Sequence, residues 1–242
     1  MTDSNPTHRY RPGDIGYVSV QVPDGARAAA FYAAVLDWAY HEGGGERYEV
    51  QGVVPNCAVR GDAGRPDLFC CYVAADVLET GERVRGAGGT VGELQTRPFG
   101  VLADCVDDQG TEFALWQPPS GELADPGTDV PEAQVGALSY LTLEVVDAAR
   151  AREFYGRVLG WRMLPGSTED GWQVEGPAPM AGISGGHVQA SAVPMWRVAD
   201  VAQTVQRIRA AGGTATDPEV KPYGVIATCT DDQGTRFYVG SA

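Results

Sequence analysis

The sequence predicts an α+β protein built from two tandem βαβββ-type modules related by pseudo-twofold symmetry, with helices on the outer face of a cupped mixed sheet. Three observations support this prediction. The pentapeptide Asp-Asp-Gln-Gly-Thr occurs at 107–111 and again at 231–235, other segments recur at the same spacing, and both copies combine alternating strand patterns with two helical ones. A chain of 242 residues accommodates two such modules of about 110 to 120 residues each.

The repeat extends over most of the chain. Matching segments at an offset of 123 or 124 residues include Phe31-Tyr32 with Phe154-Tyr155, Leu36-Asp37-Trp38 with Leu159-Gly160-Trp161, Asp76-Val77 with Asp200-Val201, 87–90 with 211–214, and 97–100 with 221–224. We therefore predict a flexible tail over 1–13, a first module over 14–118, a linker rich in Pro, Gly and acidic residues over 119–134, and a second module over 135–242.

The elements of the first module follow from local patterns. Alternating valines predict a half-buried strand at 17–22, and a Pro-Asp-Gly start followed by an apolar stripe predicts a helix at 26–36. Short β-like segments follow at 48–51 and 55–60, and a strong strand at 69–74. Asp76 caps a second helix that ends at Gly88-Gly89, and a hairpin then joins 100–106 to 111–117 across the Asp-Asp-Gln-Gly turn.

The second module repeats this order. Its predicted strands and helices lie at 140–145, 148–159, 172–175, 181–184, 193–198, 201–211 and 224–240. Helices on one face of each sheet leave the other face available to curve around a ligand.

Composition and charge restrict the class of partner. The formal net charge of −14 argues against nucleic acid or an anionic membrane, because both require clustered Lys and Arg. No apolar run approaches the ~20 residues that a membrane span needs, and the polar first ten residues lack a signal-peptide core. Five cysteines without CxxC spacing indicate buried thiols in a reducing, cytoplasmic setting. A monomer is favoured over a homodimer, because the duplication supplies both modules.

The ordered motifs resemble a known superfamily. A strand followed by Asp, Phe-Tyr, Leu-x-Trp and Asp-Asp-x-Gly stands at Val22-Pro23-Asp24, Phe31-Tyr32, Leu36-Asp37-Trp38 and 107–110, and again in the second module. This series is similar to the vicinal oxygen chelate superfamily, which includes glyoxalase I, extradiol dioxygenases and bleomycin-binding proteins. Within it the chain resembles tandem two-module glyoxalase-like proteins. The resemblance implies paired βαβββ modules with a cavity between them.

The resemblance also locates the metal ligands of the superfamily's enzymes. Those enzymes carry His, Gln or Glu at three strand positions, which bind a divalent metal that polarises substrate oxygens. The equivalent positions here are Tyr17 and Tyr140, Phe69 and Val193, and Ala114 and Tyr238. None of these side chains is a good ligand for Mg²⁺, Zn²⁺ or Ni²⁺. We therefore expect no metal and no other cofactor.

Strand alternation extends this register to a predicted ligand-binding set. Side chains of the same parity face the cavity. The set combines aromatic, sulfur-containing and polar side chains: Tyr17, Ser19, Gln21, Phe69, Cys71, Glu112, Trp116, Tyr140, Thr142, Glu144, Met195, Arg197, Arg236 and Tyr238. Tyr140, Glu144 and Tyr238 are candidate acid–base residues within it. A tight seam without a cavity is the structural alternative.

The three histidines have no counterparts in the repeat. His8 lies in the predicted tail and His41 follows the first helix, so both are expected at the surface. His187 lies in a Gly-rich loop next to a pocket-forming strand, and both a surface position and a cavity position fit its sequence context.

Three functions fit these observations. The first is a metal-free protein that binds a small molecule, for example an aromatic natural product or antibiotic. The second is a metal-independent cyclase, isomerase or lyase that uses the same cavity. The third is a regulatory or scaffolding protein with a vestigial cavity.

Overall fold

The computed structural model describes residues 9–41, 45–124 and 133–241. The first half of the chain contains β1 (Ile15–Gln21), α1 (Gly25–Leu36), β2 (Arg47–Glu49), β3 (Asn56–Arg60), β4 (Asp67–Val73), α2 (Val77–Gly86), β5 (Thr90–Arg97), β6 (Gly100–Val106) and β7 (Glu112–Gln117).

The second half repeats this order with small additions. It contains β8 (Leu138–Glu144), α3 (Ala148–Leu159), β9 (Arg162–Pro165), β10 (Gly171–Glu175), β11 (Met180–Ser184), β12 (Ser191–Arg197), α4 (Val201–Ala210), β13 (Thr214–Ala215), β14 (Glu219–Lys221), β15 (Gly224–Thr230) and β16 (Arg236–Gly240). In the described part of the chain the strands form two mixed sheets, of seven and nine strands, which confirms the predicted α+β class.

The chain forms two compact units, each assembled from three segments. Unit 1 comprises 1–16, 70–131 and 144–190, and unit 2 comprises 17–69, 132–143 and 191–242. Each unit therefore combines part of the first sequence repeat with part of the second. In unit 2, β3 pairs in parallel with β1, and β16 in parallel with β12. In unit 1, β7 pairs in parallel with β4, and β10 lies antiparallel between β9 and β11.

Repeated aromatic residues form the core beneath the helices of each unit. In unit 2, Tyr32 stacks on Trp38 with ring centroids 5.1 Å apart, and Phe31 meets Phe237 edge-on at 6.3 Å. Both arrangements are preferred geometries of aromatic pairs. The equivalent contacts in unit 1 join Tyr155 to Trp161 at 5.4 Å and Phe154 to Phe113 at 6.2 Å. The Phe-Tyr and Leu-x-Trp repeats are thus core motifs.

The repeated pentapeptide is a turn that docks onto a helix of the other repeat. The buried Asp107 accepts hydrogen bonds from the backbone N–H groups of Gln109 and Thr111, at 2.9 and 2.8 Å, which closes the turn. Its second oxygen accepts the Tyr155 hydroxyl of α3 at 3.0 Å. A buried carboxylate with its oxygens satisfied in this way stabilises the structure.

A glutamine completes the docking of the turn. The Gln109 side-chain amide accepts from the N–H of Asp147 and donates to its carbonyl, at 2.9 and 3.0 Å, while Arg150 pairs with Asp108. Asp147 also caps α3 by accepting from Ala149. Unit 2 repeats these bonds with Asp231, Gln233 and Asp232 docked on Tyr32, Asp24 and Arg27. Both copies of the pentapeptide therefore make the same connection, one in each unit.

Several strands escaped the sequence analysis. The missed β5 is an exposed partner of β6, and its sequence Thr-Val-Gly-Glu-Leu-Gln-Thr-Arg contains only two large apolar residues. Edge strands carry polar residues that weaken the alternation on which a sequence prediction depends. The short β9, β13 and β14 were also missed, because strands of 4, 2 and 3 residues are too short to show an alternating pattern.

The ends of the predicted modules contain ordered contacts. Tyr10, within the segment predicted to be a tail, is 6% exposed, donates its backbone N–H to Glu122 and accepts from Ala124. His8 and residues 125–132 of the predicted linker lie outside the described residues. The longest helices described have twelve residues, and none could cross a lipid bilayer.

Candidate functional site

The strands of unit 2 have two chemically different faces. One face lies under the helices, where Phe237 contacts α1 and Trp196 meets Trp38 at 5.0 Å. Because side chains alternate along a strand, Tyr238 and Arg197 point to the opposite face. We use the name open face for the predicted ligand-binding side chains of this parity in unit 2, which come from β1 and β4 of the seven-stranded sheet and from β8, β12 and β16 of the nine-stranded sheet: Tyr17, Ser19, Gln21, Phe69, Tyr140, Thr142, Met195, Arg197, Arg236 and Tyr238.

Burial along the strands follows this division. On β1, Val18 and Val20 are fully buried whereas Tyr17 and Gln21 are half-buried. On β8, Leu141 is fully buried between the half-buried Tyr140 and Thr142. Phe69, Arg197 and Tyr238 are also half-buried and Arg236 is exposed. Ser19 and Met195 have the same parity but are buried, so the alternation is interrupted on β1 and β12.

The register between neighbouring strands adds to this face. Met195 of β12 lies directly beside Tyr238 of β16, and the Ser139 hydroxyl donates to the Met195 carbonyl at 3.1 Å. A side chain added at Gly240 would collide with the Met195 sulfur, so this glycine leaves room for the thioether. The open face therefore combines a soft apolar group with a phenol.

The tyrosines of the open face are neutral hydrogen-bonding groups. Burial raises the pKa of Tyr17 well above its ordinary value, and the nearby Glu49 raises it further. Arg47 donates to the Tyr17 hydroxyl at 3.0 Å, with its guanidinium 5.4 Å from the ring centroid. Burial also raises the pKa of Tyr140, with a smaller effect from Tyr223. These phenols therefore remain protonated at neutral pH.

The predicted ligand-binding residues of unit 1 have different surroundings. Cys71 is buried beside Ala114 in the β4–β7 pair, and Glu112 is exposed. Trp116 is 7% exposed, donates its indole N–H to the Phe99 carbonyl at 2.8 Å and contacts Tyr10 edge-on at 4.9 Å. Trp116 therefore has a packing role in unit 1.

A three-residue cluster in unit 1 was only partly anticipated. The Glu144 carboxylate lies 3.4 Å from His187 Nδ1, and His187 Nε2 lies 3.1 Å from the Ser184 hydroxyl. Glu144 and His187 were singled out from the sequence, but Ser184 was missed as a site residue. A comparison of the repeats could have revealed Ser184. In the first repeat, the residues equivalent to Ser184, His187 and Glu144 are Arg60, Ala63 and Gln21, respectively.

Comparison with known proteins finds relatives of this fold. Residues 140–240 match the family model of the glyoxalase-like domain. The anthracycline biosynthesis protein DauV of Streptomyces sp. (strain C5) is 27% identical over 96% of this chain and 94% of its own length. The 2,3-dioxygenase LapB from Pseudomonas sp. KL28 superposes with a TM-score of 0.73 at 12% identity, over 96% of this chain and 93% of that chain.

A metal-dependent enzyme has a similar fold. The Mn(II)-bound glyoxalase from Novosphingobium aromaticivorans superposes with a TM-score of 0.74 at 16% identity, covering 96% of this chain and 82% of that chain. The second half of the chain thus matches a glyoxalase-like domain, and the chain as a whole shares the fold of structures from the vicinal oxygen chelate superfamily. The resemblance drawn from the ordered motifs is thereby confirmed.

The residues of this chain do not fit the metal that the similarity to this superfamily implies. At the positions equivalent to the ligands, Ala114 and Val193 are buried and offer no donor atom, and Phe69 offers none either. The Tyr17 hydroxyl accepts a hydrogen bond from Arg47, and its raised pKa disfavours the phenolate that would bind a metal. Among the described residues, no group of three or more His, Cys, Asp or Glu side chains is placed to hold an ion.

Proposed function

We propose that this protein binds a small aromatic molecule on the open face of unit 2 without a metal. A polycyclic natural product or an antibiotic is the class of ligand that fits best. The observation that carries the proposal is the alternation of burial. Alternate residues of these strands lie in the core, whereas the opposite parity includes the half-buried Tyr17, Tyr140, Tyr238 and Arg197 and the exposed Arg236.

The chemistry of the open face favours an aromatic ligand that carries oxygen atoms. Aromatic rings and the Met195 thioether offer contact area to a planar ring system. Tyrosine hydroxyls that stay protonated and arginine side chains donate hydrogen bonds to carbonyl, phenol or carboxylate oxygens. A small set of polar donors in an aromatic surface is typical of ligand sites.

The relatives support the same class of ligand. The name of DauV assigns that protein to anthracycline biosynthesis, and anthracyclines are polycyclic aromatic compounds. One solved structure with this fold, at 13% identity and a TM-score of 0.69, is a 2,3-dioxygenase in complex with 3,4-dihydroxyphenylacetate. We extend to this chain the preference for an aromatic ring, and not the dioxygenase chemistry, because the ligand positions for a metal are not retained.

A titration with anthraquinone-2-carboxylate, a tricyclic quinone, tests the proposal. We expect saturable quenching of intrinsic fluorescence that is unchanged by EDTA. Tyr238→Ala should weaken binding by about 1 to 3 kcal/mol, or roughly 5- to 150-fold, because it removes ring contact. Val220→Ala is the control, since Val220 is 85% exposed at a distance from the strands of the open face.

Two outcomes would contradict the proposal. One is failure of anthraquinone-2-carboxylate to bind, and the other is binding that EDTA abolishes. A metal-independent cyclase, isomerase or lyase is the second candidate function, with the half-buried Tyr140, whose phenol is protonated at neutral pH, as the proton donor. Conversion of a bound aromatic ligand into a new product, lost in Tyr140→Phe, would favour this enzyme over a binding protein.

A further inference from the structure

Ser184, His187 and Glu144 are arranged as a nucleophile, a base and a group that orients the base. Ser184 is the last residue of β11, and its hydroxyl lies 3.1 Å from His187 Nε2. The other ring nitrogen lies 3.4 Å from a carboxylate oxygen of Glu144, which is buried at the end of β8. A carboxylate at Nδ1 and a hydroxyl at Nε2 are the partners that activate a catalytic serine.

We propose that these three residues form a catalytic triad that cleaves aryl esters, an activity separate from the proposed binding function. In this assignment Ser184 is the nucleophile and His187 is the general base. Glu144 is a positioning residue that holds the imidazole in one tautomer. The Ser184 and His187 side chains are both partly exposed, so a substrate can reach them.

The internal repeat argues against a purely structural role for the cluster. The first repeat forms the same loop with Arg60, Gly61, Asp62 and Ala63 in place of residues 184–187. Asp62 and Gly186 both have a positive φ, of 64° and 78°. The loop therefore has the same conformation in both repeats.

The backbone hydrogen bonds of the two loops correspond one to one. In the second repeat the backbone N–H groups of Val145, Gly185, Gly186 and His187 donate to the carbonyls of Ser184, Asp170, Val146 and Val145, respectively. In the first repeat the backbone N–H groups of Val22, Gly61, Asp62 and Ala63 donate to the carbonyls of Arg60, Glu46, Pro23 and Val22, respectively. The loop thus forms with Arg60, Ala63 and Gln21 at the positions of Ser184, His187 and Glu144, and of the two copies only the second carries the three reactive groups together.

The reaction balances without a cofactor. The Ser184 oxygen bonds to the ester carbonyl carbon while its proton passes to His187 Nε2. The bond to the phenol oxygen breaks, and this oxygen takes the proton from Nε2. Water then attacks the acyl-serine with the same base, releasing a carboxylic acid and restoring the serine.

The backbone around Ser184 indicates which esters can react. The N–H groups of Gly185 and Gly186 already donate to the Asp170 and Val146 carbonyls, at 3.0 and 3.3 Å, and are not directed at a substrate oxygen. Loss of one oxyanion donor typically slows acyl transfer about 10²- to 10³-fold. Aryl esters tolerate this loss best, because the phenolate is a good leaving group and the barrier is low. The substrate class is therefore an activated ester and not an amide.

A fluorophosphonate probe tests the nucleophile directly. We expect the wild-type protein to gain one phosphonyl group, located at Ser184 by peptide mass spectrometry, and Ser184→Ala to gain none. Ser139→Ala is the matched control, because Ser139 is another strand serine whose hydroxyl donates to a carbonyl instead of an imidazole. Absence of labelling in the folded wild-type protein, or labelling only at other residues, would overturn the proposal.

Hydrolysis of 4-methylumbelliferyl acetate tests the roles of the other two residues. We expect His187→Gln to lower the rate roughly a thousand-fold and Glu144→Gln to lower it by a similar factor, while Glu144→Asp restores part of it. Circular dichroism of each variant verifies folding. Equal hydrolysis by the wild type, Ser184→Ala and His187→Gln would refute the triad, whereas the quinone titration is unaffected by either result.

Discussion

The buried hydroxyl of Tyr155 shows how one atom connects two sequence repeats. It donates to the Asp107 carboxylate, whose other oxygen closes the Asp-Asp-Gln-Gly-Thr turn. Burial, together with Tyr72 and this carboxylate, raises the pKa of Tyr155 well above its ordinary value. The phenol therefore stays protonated and continues to donate at all ordinary pH values.

Tyr155→Phe should destabilise the protein by about 1 to 3 kcal/mol, because a buried carboxylate oxygen loses its partner. The measurement is the free energy of unfolding from urea titration. Tyr223→Phe serves as the control, since Tyr223 is 59% exposed. Equal stabilities of the two variants would show that the hydroxyl contributes nothing to the connection.

The matched cysteines Cys105 and Cys229 give stability a dependence on alkaline pH. Burial raises the pKa of the Cys105 thiol from 9.0 to about 11 and that of Cys229 to about 12. The unfolded chain loses these protons first, so their contribution is complete below pH 9 and is lost as the pH rises through 11.

We expect the free energy of unfolding to fall between pH 9 and about 11, the range bounded by the unfolded and folded values of Cys105. Chemical denaturation at a series of pH values measures the slope. A Cys105→Ala, Cys229→Ala double variant should show a shallower slope in that range. An unchanged slope would assign the whole effect to other groups, such as the buried tyrosines.

The connection between turn and helix depends on the chemistry of an amide. The Gln109 side chain both accepts from and donates to the backbone of Asp147, directly before α3. A primary amide is the side-chain group that can satisfy a backbone N–H and C=O together in this way.

Gln109→Glu should therefore destabilise the protein more than Gln109→Ala at neutral pH. A carboxylate would place an oxygen against the Asp147 carbonyl and add charge beside Asp108, whereas alanine leaves room for water. Urea titration of both variants measures the difference, and Gln233→Glu with Gln233→Ala repeats the test in unit 2. The account would be contradicted if each alanine variant were less stable than the corresponding glutamate variant.

The whole molecule is predicted to work without a metal. Elemental analysis of purified protein should find Zn, Ni, Fe and Mn well below one atom per chain, because the positions equivalent to the superfamily's ligands include Phe69, Ala114 and Val193. A stoichiometric metal that is lost on Tyr17→Phe or Tyr140→Phe would disprove the assignment of these strand positions as lacking metal ligands. Light scattering should give the mass of one chain, and an obligate dimer would contradict this.

The fold could be predicted because its signals are local. A few neighbouring residues are enough to indicate a helix, a strand or a core position. Examples are the Phe-Tyr and Leu-x-Trp repeats, the helix caps and the alternating valines of β1. The polar strand β5 could not be predicted, since its only support is the hydrogen bonding that β6 supplies. The alternation of side chains along the strands predicted a set of ligand-binding residues, but it could not show that Tyr10 packs against Trp116.

By itself, the sequence determined the duplicated α+β architecture and the aromatic cores, and it predicted that the superfamily's metal ligands are replaced. Only the tertiary structure decided which parts of the two repeats form one unit, and that each repeated turn docks on a helix of the other repeat. It also decided that Glu144 meets Ser184 and His187, although some 40 residues separate them in the chain. Composition and periodicity describe neighbours along the chain, whereas a site depends on which distant strands pair.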